Sequence, residues 1–445
     1  MYKSIKVADF LHRVKVPVEL QAEQEYSLVT IKVHHRGVVL RNKTKGSLIG
    51  SKMHRISKGQ FILSGIDARH GAFGIVPEEL DGAIVTNDFW YFDIDETKVK
   101  RDFFYWLTNT PIFLNACIKS SQGVTQRVRL QAKLFFDFEF RFPSLEEQED
   151  FLKRIQHADQ GLNLLKAELN NQEKYISQLK QAILQEAIAG QLTADWRKQN
   201  PMQKGNPDTD AASLLAKIKA EKQQLIADGK LKKENPLAEI AVDEIPFFIP
   251  ESWVWCRGEK IGEYIDPQPS HRTPPEVSDG IPYISMKDIK NGIISLITAR
   301  KVSYKILEEH KERYQLRNGD FIIGKIGTIG NPVWLHLPQD YTISANLVLI
   351  QPNSNIIPKI MFFILASNYC DNHMKEVKSE MSYPVFGIKK MRLMPFPLPP
   401  LAEQKAIVEK VNKLMNIIDQ LEQQIKHRKQ LAEALMQTVL REAFE

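Results

Sequence analysis

The chain has 445 residues, 43% of them hydrophobic and 26% charged, with 60 Lys and Arg against 54 Asp and Glu for a net charge of +6. That length suffices for two or three domains, and the composition is that of an ordinary soluble globular protein, not a disordered, fibrous or membrane-spanning one. Three widely separated cysteines, Cys117, Cys256 and Cys370, show no CxxC spacing, which argues against a disulfide framework or a zinc site and fits a reducing cytoplasm.

The first residues, MYKSIKVADF, lack the apolar core of a signal peptide. The longest apolar runs, near 103–114 and 360–366, are too short and interrupted to span a bilayer. Residues 1–141 form a first block, rich in Gly, Pro and β-branched or aromatic residues. Alternating runs between turn residues predict strands at 26–33 (YSLVTIKV), 59–66 (GQFILSGI) and 83–94 (AIVTNDFWYFDI). A segment at 142–192 opens on a proline followed by Leu-x-Glu-Gln. Ile155, Leu162, Leu169, Ile176 and Ile183 then recur every seven residues with no proline, which predicts a long coiled-coil helix ended by Gly190. About 40 residues at roughly 1.5 Å each make a rod of roughly 60 Å.

A connector at 193–251 carries a predicted helix at 212–227, with Asp208, Thr209 and Asp210 as N-cap candidates and Gly229 as its stop. The Pro-containing tether EIPFFIPESWVW follows, with Trp253 and Trp255 expected to anchor the first strand of a second block. That block, 252–397, has predicted strands at 281–286, 319–326 and 341–351. The last segment, 398–445, repeats the proline and Leu-x-Glu-Gln start and the heptad, now through Val411, Ile418, Ile425, Ala432 and Val439.

The two helices align without a gap. Leu145, Glu147 and Gln148 fall on Leu401, Glu403 and Gln404, and a second stripe (Ala158, Leu165, Gln172, Leu179) falls on Leu414, Leu421, Arg428 and Leu435. The simplest packing sets the two seams against each other, with polar Gln172 and Arg428 helping to fix register. Leu164, Tyr175, Leu184, Ile188, Leu431, Leu440 and Phe444 lie off the seam and are expected to face a partner helix. The blocks also echo each other: GQFILSGI resembles GDFIIGKI, and VTN (85–87) resembles SAN (344–346). The expected fold is therefore α+β, with two mostly-β domains joined by two long antiparallel coiled-coil helices in a pseudo-two-fold tandem repeat.

Positive charge gathers on the blocks. Residues 1–145 hold 21 basic and 15 acidic residues and 252–398 hold 18 and 14, while the rest hold 21 and 25. This is the distribution expected of a polyanion binder. Catalytic signatures are absent: no GxxxxGK[ST], no HExxH, no Cys/His cluster. GKIGTIG (324–330) does not have dinucleotide-fingerprint spacing, and NPVW (331–334) lacks the second proline of the amino-methyltransferase motif. The residues argue for a binding protein.

FPLPPLAEQKAIVEKVNKLM (396–415) and FPSLEEQEDFLKRI (142–155), each following a divergent block, resemble the specificity subunit of Type I restriction–modification systems. LQEAIAGQLTADWR (184–197), LLAKIKAEKQQLIADGKLKKENPL (214–237) and IPESWVW (249–255) share the resemblance, which covers the whole chain. The first copy departs at Ser144, where the second proline is usual, and at Glu146, where alanine is. The resemblance implies two target recognition domains, 1–141 and 252–397, each reading half of a bipartite duplex DNA target. It implies that the helices set the spacing and dock two adenine methyltransferase subunits, with restriction subunits added for cleavage. It implies no catalysis and no bound cofactor on this chain, with S-adenosylmethionine, ATP and Mg on the partners, in the cytoplasm and without a membrane. A coiled-coil scaffold whose blocks bind proteins is the alternative, and a self-contained enzyme with diverged motifs a third.

Base reading needs Arg, Lys, Asn or Gln at a groove edge. In the first block the candidates are Arg69 and His70, at the tip of the loop 66–74, and Lys119, Gln122, Gln126, Arg127 and Arg129 in KSSQGVTQRVRLQAK. In the second block they are Lys325 and Thr328 in GKIGTIG, and Tyr383, Lys389 and Lys390 in EMSYPVFGIKK. Asn87 and Asn346, at matching strand positions, are expected to make structural hydrogen bonds.

Overall fold

The computed structural model describes residues 2–123, 128–229, 238–268, 270, 272–290, 292–326, 329–378 and 386–444. They fall into two compact units, residues 1–171 with 424–445 and residues 172–423. Among the described residues no helix is long and apolar enough to cross a membrane.

In the first unit the fully buried strand Phe61–Ser64 lies inside a four-stranded sheet ordered Leu11–Val14, Phe89–Ile94, Phe61–Ser64, Phe73–Ile75. Alternation along it divides the core. Phe61 and Leu63 face one cluster with Phe92, Phe104 and Phe113, while Ile62 faces another with Val85 and Tyr91. Phe61 meets Phe104 edge-on at 4.9 Å and Phe73 meets Phe113 likewise at 4.9 Å, the geometry that ring quadrupoles favour. A five-stranded sheet stands beside it, ordered Pro17–Val18, Met53–Arg55, Ile84–Thr86, Glu25–Ile31, Val38–Lys45.

The second unit repeats the four-stranded sheet in the same order: Gly262–Ile265, Leu347–Pro352, Phe321–Gly324, Gly330–Trp334. Its neighbour has three strands, Arg300–Val302, Ile281–Ile284 and Thr342–Ile343. The runs 83–94 and 341–351, expected as single strands, each break in two and serve two sheets. Just before the second strand of each run a backbone carbonyl extends the ladder to the residue after the central strand, Asp88 accepting from Gly65 N–H and Asn346 from Lys325 N–H, both at 2.9 Å. The carbonyl matching that of Asn346 therefore belongs to Asp88, one residue beyond the expected Asn87, and both asparagine side chains are exposed.

Each block is closed by its first and last strands, Lys3–Lys6 with Glu139–Phe142 and Val254–Arg257 with Pro395–Leu398. The last strand leads into a 44-residue helix, the central helix Leu145–Ile188 or the C-terminal helix Leu401–Phe444. The Leu-x-Glu-Gln signature now has a physical meaning. Gln148 is fully buried; its Oε1 accepts from Lys100 N–H at 2.8 Å and its Nε2 donates to the Pro143 carbonyl at 3.0 Å. Gln404 repeats this with Ile357 N–H at 2.9 Å and the Pro399 carbonyl at 3.0 Å. Lys100 and Ile357 are the N-caps of Arg101–Thr108 and Pro358–Ala366, so the glutamine ties a block helix to the start of the long helix.

The glutamates differ. Glu147 accepts from the Ser144 N–H and hydroxyl, both at 2.8 Å, and Ser144 Oγ accepts from Glu147 N–H at 3.3 Å, which makes a capping box. These bonds hold the Glu147 carboxyl below the usual carboxylate range. With proline at the matching position, Glu403 instead lies buried and accepts from the Thr193 hydroxyl at 2.6 Å, the Trp253 indole at 2.8 Å and Arg197. It thus joins the connector to the C-terminal helix.

Within each unit the two helices run antiparallel. In the first, Arg154 pairs with Glu442 at 3.3 Å and Lys429 donates to Asn170 at 2.8 Å. In the second, Lys180 pairs with Glu422 at 2.9 Å and Lys410 donates to the Leu192 carbonyl at 2.7 Å. Ile155, Leu162, Leu169, Ile176, Ile183, Val411, Ile418, Ile425 and Ala432 are buried and Val439 is partly buried. Of the second stripe, Leu179, Leu421, Leu435 and Arg428 are exposed and Gln172 is half-buried.

The off-seam residues divide. Leu164, Tyr175 and Leu431 are exposed, whereas Leu184, Ile188, Leu440 and Phe444 are buried in their own units, contrary to the expectation that they face a partner. Phe444, for example, packs on Phe103 at 4.6 Å. Gly190 follows the central helix with φ 74°, and a Cβ there would lie 2.6 Å from Pro250 Cγ, so both its conformation and its neighbour require glycine. In the connector, Asp210 caps Ala211–Ala227 by accepting from Ala212 N–H at 3.0 Å. Arg257 binds Glu244 with two nitrogens at 2.7 and 2.8 Å, donates to three backbone carbonyls, and so fastens residues 238–244 to the second block.

Candidate nucleic-acid interface

Both blocks present loops from one scaffold at the end of the central buried strand. In the first block, Gly65 follows Phe61–Ser64; its N–H donates to Asp88 and its carbonyl accepts from Leu130 N–H at 2.8 Å. In the second, Lys325 follows Phe321–Gly324; its N–H donates to Asn346 and its carbonyl accepts from Phe386 N–H at 2.9 Å. Three chain segments therefore meet at one point in each block.

In the first block these segments carry most of the candidates. Residues Ala68–His70 form a short 3₁₀ turn stopped by Gly71 at φ 76°. His34 N–H donates to the His70 carbonyl at 2.8 Å and His35 N–H to the Gly71 carbonyl at 3.1 Å. The turn is thus bound to the tip of the Glu25–Lys45 hairpin, where His34 and His35 take φ 60° and 56°. Arg69 is half-buried and donates to His70 Nε2 at 3.0 Å, with His70 exposed. Lys119 is exposed at the end of helix Pro111–Lys119. Gln122 and Arg129 face each other across a short ladder, both exposed, and Arg129 pairs with Asp88 at 3.1 Å. Gln126 and Arg127 lie outside the described residues.

In the second block the picture changes at Lys325. Its side chain is buried and its ammonium pairs with Asp266 at 2.9 Å, so it is a structural cation and not the exposed groove contact expected from the loop sequence. The reason lies in the position. A Cβ at the twin residue Gly65 would crowd the Asp88 carbonyl at 3.2 Å and Trp90 at 3.3 Å, whereas the second block has the smaller Val348 opposite and leaves room for a side chain that folds inward. Lys389 and Lys390 are exposed on helix Ile388–Leu393, directly after Phe386. Thr328 and Tyr383 lie outside the described residues.

A second basic surface escaped a block-wise count of charge. Between Glu25 and Asp67 the sequence has eight Lys or Arg and three His and no acidic residue. The structure lays this run over the five-stranded sheet, with Arg41, Lys43 and Lys45 exposed on its edge strand. Counting charge in shorter windows reveals it. Among the described residues no group of three or more His, Cys, Asp or Glu is arranged to hold a metal ion. Surfaces of this kind suit phosphate neutralisation and base-edge hydrogen bonding.

The family model "Type I restriction modification DNA specificity domain" matches twice, over residues 7–174 and 267–428. The Escherichia coli EcoAI specificity subunit is 30% identical over 278 residues, 59% of this chain and 44% of that protein. The EcoEI specificity subunit, also of Escherichia coli, is 28% identical over 283 residues, 60% of this chain and 46% of that protein. The matched stretch spans less than half the length of either relative. A solved structure described as "Structural basis underlying complex assembly and conformational transition of the type I R-M system" contains a chain 16% identical to this one. It matches with a TM-score of 0.57 over 100% of this chain and 97% of that one.

Proposed function

From the premise that the chain belongs to the Type I restriction modification DNA specificity family, we propose that it is the sequence-reading component of a Type I restriction–modification complex. Each block reads one half of a bipartite, gapped duplex target, and the helix pair fixes the gap. The observation that carries this reading is the duplicated scaffold: one strand end and one three-segment junction occur twice, bearing different side chains. Two like mounts with unlike loops suit two unlike half-sites. Two weak contacts joined in one chain also act with a high effective concentration.

The chain binds and positions, and methylation and cleavage belong to partners. Two adenine methyltransferase subunits dock on the helix pair and carry S-adenosylmethionine; restriction subunits carry ATP and Mg. The exposed Leu164, Tyr175 and Leu431 support docking there. The test is selection of duplexes from a random library by this chain with the methyltransferase subunits of its own genome. A two-part motif with a constant gap is the expected result. Enrichment of a single continuous motif, or of none, overturns the reading.

A further inference from the structure

The hairpin Glu25–Lys45 carries an irregularity at its most basic point. Leu28 pairs with Asn42 and Val29 with Leu40, so Arg41 has no partner and forms a β-bulge on an edge strand. Here Arg41 and Asn42 both line the same cleft, of about 380 Å³, together with Thr44, Ser51 and Thr86. A bulge bends its strand and re-aims side chains, and this one lies at the rim of the cleft. Arg41 and Asn42 are exposed, and among the described residues no ion pair or side-chain hydrogen bond engages Arg41, Asn42 or Thr44. Thr86 brings the cleft to the 87–88 turn, where Asp88 meets Gly65 and Arg129.

Building on the DNA-reading role proposed above, we infer that this hairpin is the major-groove reading element of the first block, with Arg41 and Asn42 as its specificity-determining residues. The major groove admits a two-stranded β-ribbon. Arg presents a fork that matches guanine O6 and N7, and Asn a donor–acceptor pair that matches adenine N6 and N7. The acid-free run from 26 to 66 supplies the charge that draws the strand to a duplex. Lys43 is exposed and does not line the cleft, so it serves as a phosphate contact. The second block has a three-stranded sheet in the corresponding place, so this element serves one half-site alone.

The test is the same library selection with the full chain and its methyltransferase subunits. Arg41→Ala and Asn42→Ala each relax preference at one or two positions of one half-site, by about fivefold or more, and leave the other half and the gap unchanged. Lys43→Ala keeps the motif, weakens binding to every sequence and lowers the log–log salt slope by about one. Arg41→Lys keeps the charge but loses the fork, and relaxes the motif as Arg41→Ala does. If Arg41→Lys instead restores the wild-type motif, Arg41 is a phosphate contact and the inference falls. If Arg41→Ala and Asn42→Ala select the wild-type motif, the inference falls while the DNA-reading role stands. If the wild-type chain selects no two-part motif, both fall.

Discussion

Gln148 and Gln404 hold two chain segments each with one buried amide. Alanine at either site strands a backbone N–H and a carbonyl in the interior, and each unsatisfied group costs about 1–3 kcal/mol. Gln148→Ala and Gln404→Ala are each expected to lower unfolding free energy by about 2–4 kcal/mol, read by chemical denaturation. A loss of a few tenths would mean that water replaces the amide. The glutamine was visible in the sequence as a repeated letter, but the block helices that it ties were not, because Lys100 and Ile357 lie about 50 residues upstream.

His310 is likewise invisible to motif reading. Its neutral ring donates to Gln268 at 2.6 Å and accepts from the Tyr314 hydroxyl at 3.1 Å. Burial is the main cause that lowers its pKa to about 4; nearby Arg313 lowers it further and Glu309 opposes. An unfolded histidine titrates near 6.5. The unfolded chain therefore binds the proton first, and stability is complete above about pH 6.5 and falls as pH drops toward 4. The denaturation midpoint of His310→Gln should fall less over that window than that of the wild type. Equal slopes would show that the ring charges freely in the fold.

Among the elements, the helix seam was the most legible, because a seven-residue period with no proline survives any change of surface residues. Reading which off-seam residues stay exposed failed for Leu184, Ile188, Leu440 and Phe444, which are buried; their burial depends on tertiary neighbours, such as Phe103 against Phe444, that a period does not encode. Strand ends failed for a related reason. The runs 83–94 and 341–351 are apolar enough for one strand, but each breaks at a short turn, residues 87–88 and 344–346, and passes from one sheet to another. Leu169 is fully buried in the seam, and Leu169→Ala is expected to cost about 2–5 kcal/mol. An exposed control, Leu164→Ala, should change stability by about 0.5 kcal/mol or less. Equal losses would show that the seam is not the helix contact.

At the scale of the whole molecule, family membership and the doubled scaffold support the central proposal, that two blocks each read a half-site and the long helices set the gap between the half-sites. The tandem repeat made this organisation legible, because whole segments recur in order. The DNA text was not legible, because base contacts depend on how loops meet: Lys325 turned inward, while Arg41 stands exposed at a bulge. Lengthening the helices tests the proposal most directly. Four residues, about one helical turn, added within each long helix, after Asn171 and after Gln423, should change the number of base pairs between the half-sites selected from a random duplex library while both half-site sequences stay the same. An unchanged gap, or a change in the half-site sequences themselves, would contradict the account.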